Sequence, residues 1–285
     1  MNNPRPSPIA GRWYPDNPGQ LADTVDGYIN AAVLPPMADK IIGVMAPHAG
    51  LIYSGPVAGY AFAALKGMQP ELVAVVSPMH HPYSQPLLTS AHSNYATPLG
   101  LVPVDHQLLK ILNEKLETEA GIHLDPIRND PEHSLEIELP FLQRVFPQGF
   151  RLIPIMVREQ TRKAAKALGF ALAAVLQGKP AVLVASTDLS HFFSQPVAKD
   201  LDDEILRRVE SLDPNTLFEA EEQGIGYACG HAALAAVLWA SKSLGANQAK
   251  VLHYATSAEV SGDFSQVVGY ASAVFTCSSL SSSIN

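Results

Sequence analysis

Cysteine is nearly absent from the 285 residues: Cys229 and Cys277 are the two present. No disulfide framework therefore supports the fold, and a reducing cytoplasm is the natural setting. Charge is sparse as well. Charged side chains make up 16% of the chain, and 19 basic residues against 27 acidic ones leave a net charge of -8, with no cluster of Lys or Arg. That balance disfavours binding to nucleic acid or to an anionic membrane. Long apolar runs are missing too. The start, Met1-Asn2-Asn3-Pro4-Arg5-Pro6, lacks the apolar core of a signal peptide. The richest apolar region, residues 164–186, is broken at Gln177-Gly178-Lys179-Pro180 before it could span a bilayer. With no internal repeat, no low-complexity linker and no visible boundary, the chain reads as one domain over residues 1–285, its core running from about residue 7 to 275. The serine-rich tail, residues 276–285, is expected to fray, Cys277 included.

What is present is 47% hydrophobic, enough for a substantial core. Short apolar, β-branched runs at residues 41–46, 72–77, 151–157, 181–186, 251–255 and 267–275 read as strands. Most have no wet face, as in a sheet covered on both sides. Residues 20–32, 56–65, 107–116, 162–176, 200–209 and 229–244 have helical composition. The broadly βαβ order makes the fold class α/β: an α/β/α sandwich around a largely buried mixed sheet.

Histidines gather at the ends of three of these strands. His48 follows IIGVMA, His80 and His81 follow LVAVVS through Pro78-Met79, and Asp188 and His191 follow AVLVAS. Open α/β sheets bind ligands beyond the carboxyl ends of their strands. Any one of these histidines alone would read as a loop residue; four at the ends of three strands point to a site. Pro47 gives a rigid exit from its strand, and Gly50 permits a tight turn and close backbone approach.

Cys229 stands ahead of an apolar helical run, where the helix dipole would lower its thiol pKa and favour thiolate. His231, two residues on, would point to a different face. In Asp130-Pro131-Glu132-His133, Asp130 can cap a helix whose first turn holds His133, beside unpaired N–H groups that disfavour protonation. A neutral imidazole there is a base or hydrogen-bond donor. His92, His106, His123 and His253 lack such context and read as structural or surface residues. Two chemistries fit: a Cys229–His nucleophile pair, or one metal held by two histidines and the thiolate with positions open for water, O₂ or substrate. Histidines outnumber the single thiol, which favours the metal. The 32 residues between His48 and His80 mean that the ligands meet only through the fold.

Taken together, Ala10-Gly11-Arg12-Trp13-Tyr14-Pro15, Ala46-Pro47-His48-Ala49-Gly50 with Tyr53-Ser54-Gly55, Pro78-Met79-His80-His81, Glu132-His133-Ser134-Leu135-Glu136, Ser186-Thr187-Asp188-Leu189-Ser190-His191 and Cys229-Gly230 resemble the Memo family, also called AmmeMemoRadiSam system protein B. That family is similar to the catalytic subunits of class III extradiol ring-cleaving dioxygenases, α/β proteins with non-haem Fe(II) on two histidines and a carboxylate. The resemblance implies His48, His80 and Cys229 as metal ligands, with Cys229 in place of the acid. It also implies His191 as acid/base, His133 as a second pocket histidine, and Asp188 as a partner orienting a ligand. The thiolate departs from the dioxygenase pattern and shifts preference toward copper(I), zinc or a different iron chemistry. Met79, where a small residue often stands, narrows the pocket.

The first functional expectation is thus an iron-binding, dioxygenase-like oxidoreductase acting on a small molecule, with copper or zinc as alternatives. A second is a binding module that grips an acidic or phosphorylated peptide or a partner protein. A third is a metal-dependent hydrolase. The family association further implies AMMECR-type and radical SAM protein partners.

Overall fold

Four apolar strands, Lys40–Ala46, Ala181–Ser186, Leu72–Pro78 and Arg151–Val157, lie side by side and parallel at the centre of a nine-stranded sheet. Leu72–Pro78 is buried along its whole length, so it carries no polar face. The computed structural model describes residues 3–37 and 39–278. Beyond Arg151–Val157 the sheet continues with antiparallel Leu87–Ser90 and then Leu124–Ile127. On the other side Val267–Cys277 runs antiparallel to Lys40–Ala46 and also pairs with Gln248–Thr256 and His191–Phe193. A separate three-stranded sheet joins Pro4–Arg5, Asn94–Thr97 and Gly100–Pro103.

Helices cover both faces. His106–Ala120, Arg162–Leu176, Gln195–Glu210 and His231–Ser243 pack their apolar sides into one core layer. Pro18–Ala31, Leu51–Ala64 and Leu139–Val145 form the other. Each fully buried Val or Leu of these layers contributes roughly 1.5–3 kcal/mol relative to exposure. The expected α/β/α sandwich around a mixed sheet is the fold observed. Among the described residues no helix is long and apolar enough to cross a membrane.

Three local readings change. The helix expected from residue 56 begins at Leu51, with Pro56 inside it. Gly50 caps that helix with an ordinary φ of -54°, so no left-handed turn requires it. The tail is ordered further than expected, because Thr276 and Cys277 pair with Ile41 and Lys40. Residues 279–285 of that tail lie outside the described residues.

Candidate metal centre

Neighbouring strands send their connections to opposite faces where the site forms. Lys40–Ala46 leads into Leu51–Ala64 on one face; Ala181–Ser186 leads towards Gln195–Glu210 on the other. A crevice at the carboxyl edge follows from that divergence. The registers Ala46↔Ser186 and Val76↔Ala185 bring the residues after these strands to one level.

His48 is buried there. Its backbone N–H donates to Asp188 Oδ1 at 2.7 Å, its Nδ1 lies 2.9 Å from Ser186 Oγ, and its Nε2 lies 3.1 Å from Cys229 Sγ. Burial first, then the neighbouring His133 and His80, hold its pKa well below the ordinary value, so the ring is neutral at neutral pH.

His80 is held by Glu132. Its backbone N–H donates to Oε2 at 2.6 Å and its Nδ1 lies 2.9 Å from Oε1, which also accepts from the His133 and Ser134 N–H groups at 2.9 Å. Burial pushes the Glu132 carboxyl up, but the hydrogen bond and charge of His80, the charge of His133 and the Ser134 N–H outweigh it. The result is a carboxylate well below its usual range.

Cys229 arrives from the opposite direction, just ahead of His231–Ser243. Its N–H donates to Asp188 O at 3.1 Å, and the Asp188 N–H donates back to Sγ at 3.2 Å. Gly230 permits this approach, because a Cβ there would sit 2.7 Å from Ser186 O. The helix dipole does not lower this thiol as expected. Burial, then the charge of Asp188, push its pKa up, so the thiol keeps its proton. Its Sγ faces His48 Nε2 at 3.1 Å, and a bound cation would take the place of the thiol proton.

His133 is not in the first turn of a helix. Residues 131–133 are irregular, and Glu136–Glu138 and Leu139–Val145 come later. Its pKa is nonetheless lowered, to about 4, by burial against the opposing pull of Glu132. Its ring stacks on His80 at 4.8 Å and under Trp13 at 4.1 Å. His191 Nδ1 lies 2.8 Å from Leu189 O; a carbonyl only accepts, so Nδ1 carries the hydrogen and Nε2 is bare. Burial lowers its pKa as well. Asp188 is buried, its carboxyl raised to about 7 by desolvation, with Oδ2 3.9 Å from His48 Nε2.

The donor atoms of His48, His80 and Cys229 lie within 4.8 Å of one another, as do those of His80, Glu132 and His133. In the second the Glu132 carboxylate is already engaged by His80 Nδ1 and by the N–H groups of His80, His133 and Ser134. The first has two imidazoles anchored through Nδ1 and a thiol facing them, a borderline-to-soft donor set suited to iron, copper or zinc. His231 turns away to Glu221, 2.6 Å from its Nδ1. His92 and His106 bond backbone groups, His123 pairs with Glu117, and His253 stacks on Tyr60, all outside the site. A groove of about 700 Å³ between Ile42, Leu176 and Leu244 is lined by no histidine or cysteine and lies at the amino ends of the strands. The roles of Glu132, Ser186 and Trp13 went unread in the sequence, although all three lie inside the quoted motifs.

Fold and site define an α/β protein with a two-histidine, one-thiol cluster, fit to hold a metal at the carboxyl edge of its sheet. The chain belongs to the Memo family: the model of the Memo-like protein family matches residues 5–274. It is 33% identical over 271 residues to a MEMO1 family protein of Nitrosopumilus maritimus, covering 94% of this chain and 98% of that one. A MEMO1 family protein of Thermotoga maritima is 34% identical over 277 residues, covering 93% and 97%. Among solved structures, an uncharacterized protein of Escherichia coli K12 shares the fold with a TM-score of 0.55 at 16% identity, covering 81% of this chain and 99% of that one.

Proposed function

We propose that this protein is a metal-dependent oxidoreductase of the dioxygenase type. In this reading His48, His80 and Cys229 hold a non-haem iron and the pocket acts on a small molecule. The observation that carries it is the convergence of three donor atoms within 4.8 Å, with Nδ1 of both histidines engaged by buried partners. Partners on the far ring nitrogen fix the tautomer and orientation of a ligating histidine. The iron would supply open positions for substrate and O₂. The chain's own residues do the rest: His191, with Nε2 bare, accepts a proton from the bound molecule, and neutral His133 presents a second acceptor. Asp188 fixes the backbone of His48 and the approach of Cys229. Trp13 walls the pocket behind His133. The thiol makes copper(I) and zinc the competing occupants; zinc would turn the site to hydrolysis.

Elemental mass spectrometry of anaerobically purified protein, with O₂ uptake alongside, tests this reading. About one iron per chain in the wild type, lost in Cys229→Ser and His48→Ala, is the expected result. Stoichiometric metal retained in His48→Ala overturns the ligand assignment.

A second reading is favoured by Phe192, 70% exposed beside His191 with a left-handed φ of 65°. Here the pocket grips an acidic or phosphorylated peptide, or a partner such as an AMMECR-type or radical SAM protein. Absence of metal from both wild type and Cys229→Ser would move the weight to it.

A further inference from the structure

One peptide group stands between the His191 ring and a buried carboxyl group from a distant helix. His191 Nδ1 gives its hydrogen to Leu189 O at 2.8 Å. The amide that offers this carbonyl carries the Ser190 N–H at its other end, and that N–H donates to Asp202 Oδ1 at 2.9 Å. Carboxyl group, amide and imidazole are thus bonded in series. The segment is fixed from a third side as well, because the Leu189 N–H donates to Gly269 O and the Gly269 N–H donates to Ser190 O, each at 2.9 Å.

Asp202 is built into this place. It is fully buried in Gln195–Glu210, and its Oδ2 accepts from the Tyr254 hydroxyl at 2.9 Å. Lys199, the nearest lysine in sequence, pairs with Asp203 instead. Gly269 keeps the space for the carboxyl group: a Cβ there would lie 1.9 Å from Oδ2 and 2.6 Å from Cγ. Close approach, and not an unusual backbone angle, is what requires glycine here. A carboxylate that accepts from the N–H end of an amide pushes electron density to its carbonyl end, and bonds in series reinforce one another by roughly 10–30% each. The carbonyl then holds the imidazole hydrogen more firmly.

We propose that Asp202 is a positioning residue that acts on His191 through the Leu189–Ser190 peptide. Its carboxylate holds and polarises that amide, so that the ring keeps its hydrogen on Nδ1 and an electron-rich Nε2 stays free. That His191 serves as a base rests on the reading above; its coupling to Asp202 does not.

The test is proton and nitrogen NMR of ¹⁵N-histidine-labelled protein without added metal, in wild type, Asp202→Asn and Gly269→Ala. At pH 8 Asp202, raised by burial to about 6, is ionised. Asparagine can still accept the Ser190 N–H, so it keeps the brace and loses the charge. Gly269→Ala keeps the charge and pushes it off the amide. Wild type should show His191 as the Nδ1–H form with a strongly downfield, slowly exchanging proton. Both variants should move that proton upfield and speed its exchange with water. A purely structural brace makes the opposite prediction for Asp202→Asn, and an unchanged His191 proton in that variant overturns the proposal. A wild-type ring with its hydrogen on Nε2 overturns it too. If Asp202→Asn does not fold, Gly269→Ala decides by the same signal, since only the end of one side chain must swing aside. The metal analysis above fails separately: a protein without metal loses the base assigned to His191, while the His191 proton still reports on Asp202.

Discussion

Two buried polar clusters share the loop from Asp130 to Glu136, and they are finished differently. On one side Arg5 bonds Asp130 through two nitrogens, at 2.9 and 2.7 Å, pairs with Glu136 and donates to the Glu132 carbonyl; Tyr14 and Ser7 complete Glu136. On the other side Glu132 and His133 face His80, His48 and Cys229. The first cluster answers its polar atoms internally, one guanidinium and two hydroxyls against two carboxyl groups. The second anchors its rings from behind and leaves donor atoms turned inward at one another. Saturation marks a cluster that holds the fold, and convergent donor atoms mark one that takes a ligand.

The largest effect should come from breaking the saturated side. Arg5→Met leaves the Asp130 and Glu136 carboxyl groups buried without their cation, and urea denaturation should show a loss of about 3–5 kcal/mol. Adding Asp130→Asn and Glu136→Gln should restore much of it, since removing all the charges is milder than stranding some. On the convergent side, metal at 100 times its dissociation constant should stabilise the wild type by about 2.7 kcal/mol. Cys229→Ser should show no such gain, and a gain equal to that of the wild type would remove Cys229 from the ligand set.

A smaller effect belongs to Asp202, which accepts from the Ser190 N–H at 2.9 Å and the Tyr254 hydroxyl at 2.9 Å and so braces the loop ahead of His191. Burial raises its pKa from 3.8 to about 6. Between those values the folded state holds the proton and the unfolded chain has released it. Stability therefore falls as pH rises through that window, by up to about 1.4 kcal/mol per pH unit, and is level above it. Asp202→Asn should abolish that part of the slope; an identical slope in the variant would contradict the assignment. The smallest effect concerns Trp13, one of two tryptophans. Binding of a redox-active metal should quench emission in the wild type, and Trp13→Phe should keep the affinity while losing most of the quenching.

The central fold was legible because its signals are local. Arg151–Val157, Ala181–Ser186 and Arg162–Leu176 match the apolar runs residue for residue, and the histidines could be placed because sheet topology sends strand ends to one edge. Leu124–Ile127, with the sequence LDPI, has no alternation to read, and Pro4–Arg5 is too short to carry any. Pro56 looked like a helix start, yet inside Leu51–Ala64 it costs one backbone bond, to the carbonyl of the exposed Ile52. The thiol of Cys229 was misjudged for a different reason. A dipole can be read from position in a helix, but burial and the carboxyl of Asp188 come from segments far away in sequence. The contact between Glu138 and Ser186 is invisible for the same reason, the two being 48 residues apart.

Because Pro4–Arg5 is pinned to the back of the loop that presents Glu132 and His133, this strand and the pocket are mechanically one piece. Trimming those first residues, or pulling on them with an affinity tag, amounts to a site mutation by another route. The far end of the chain is the safer handle, since Cys277 lies against Lys40 at the opposite edge of the sheet from His48.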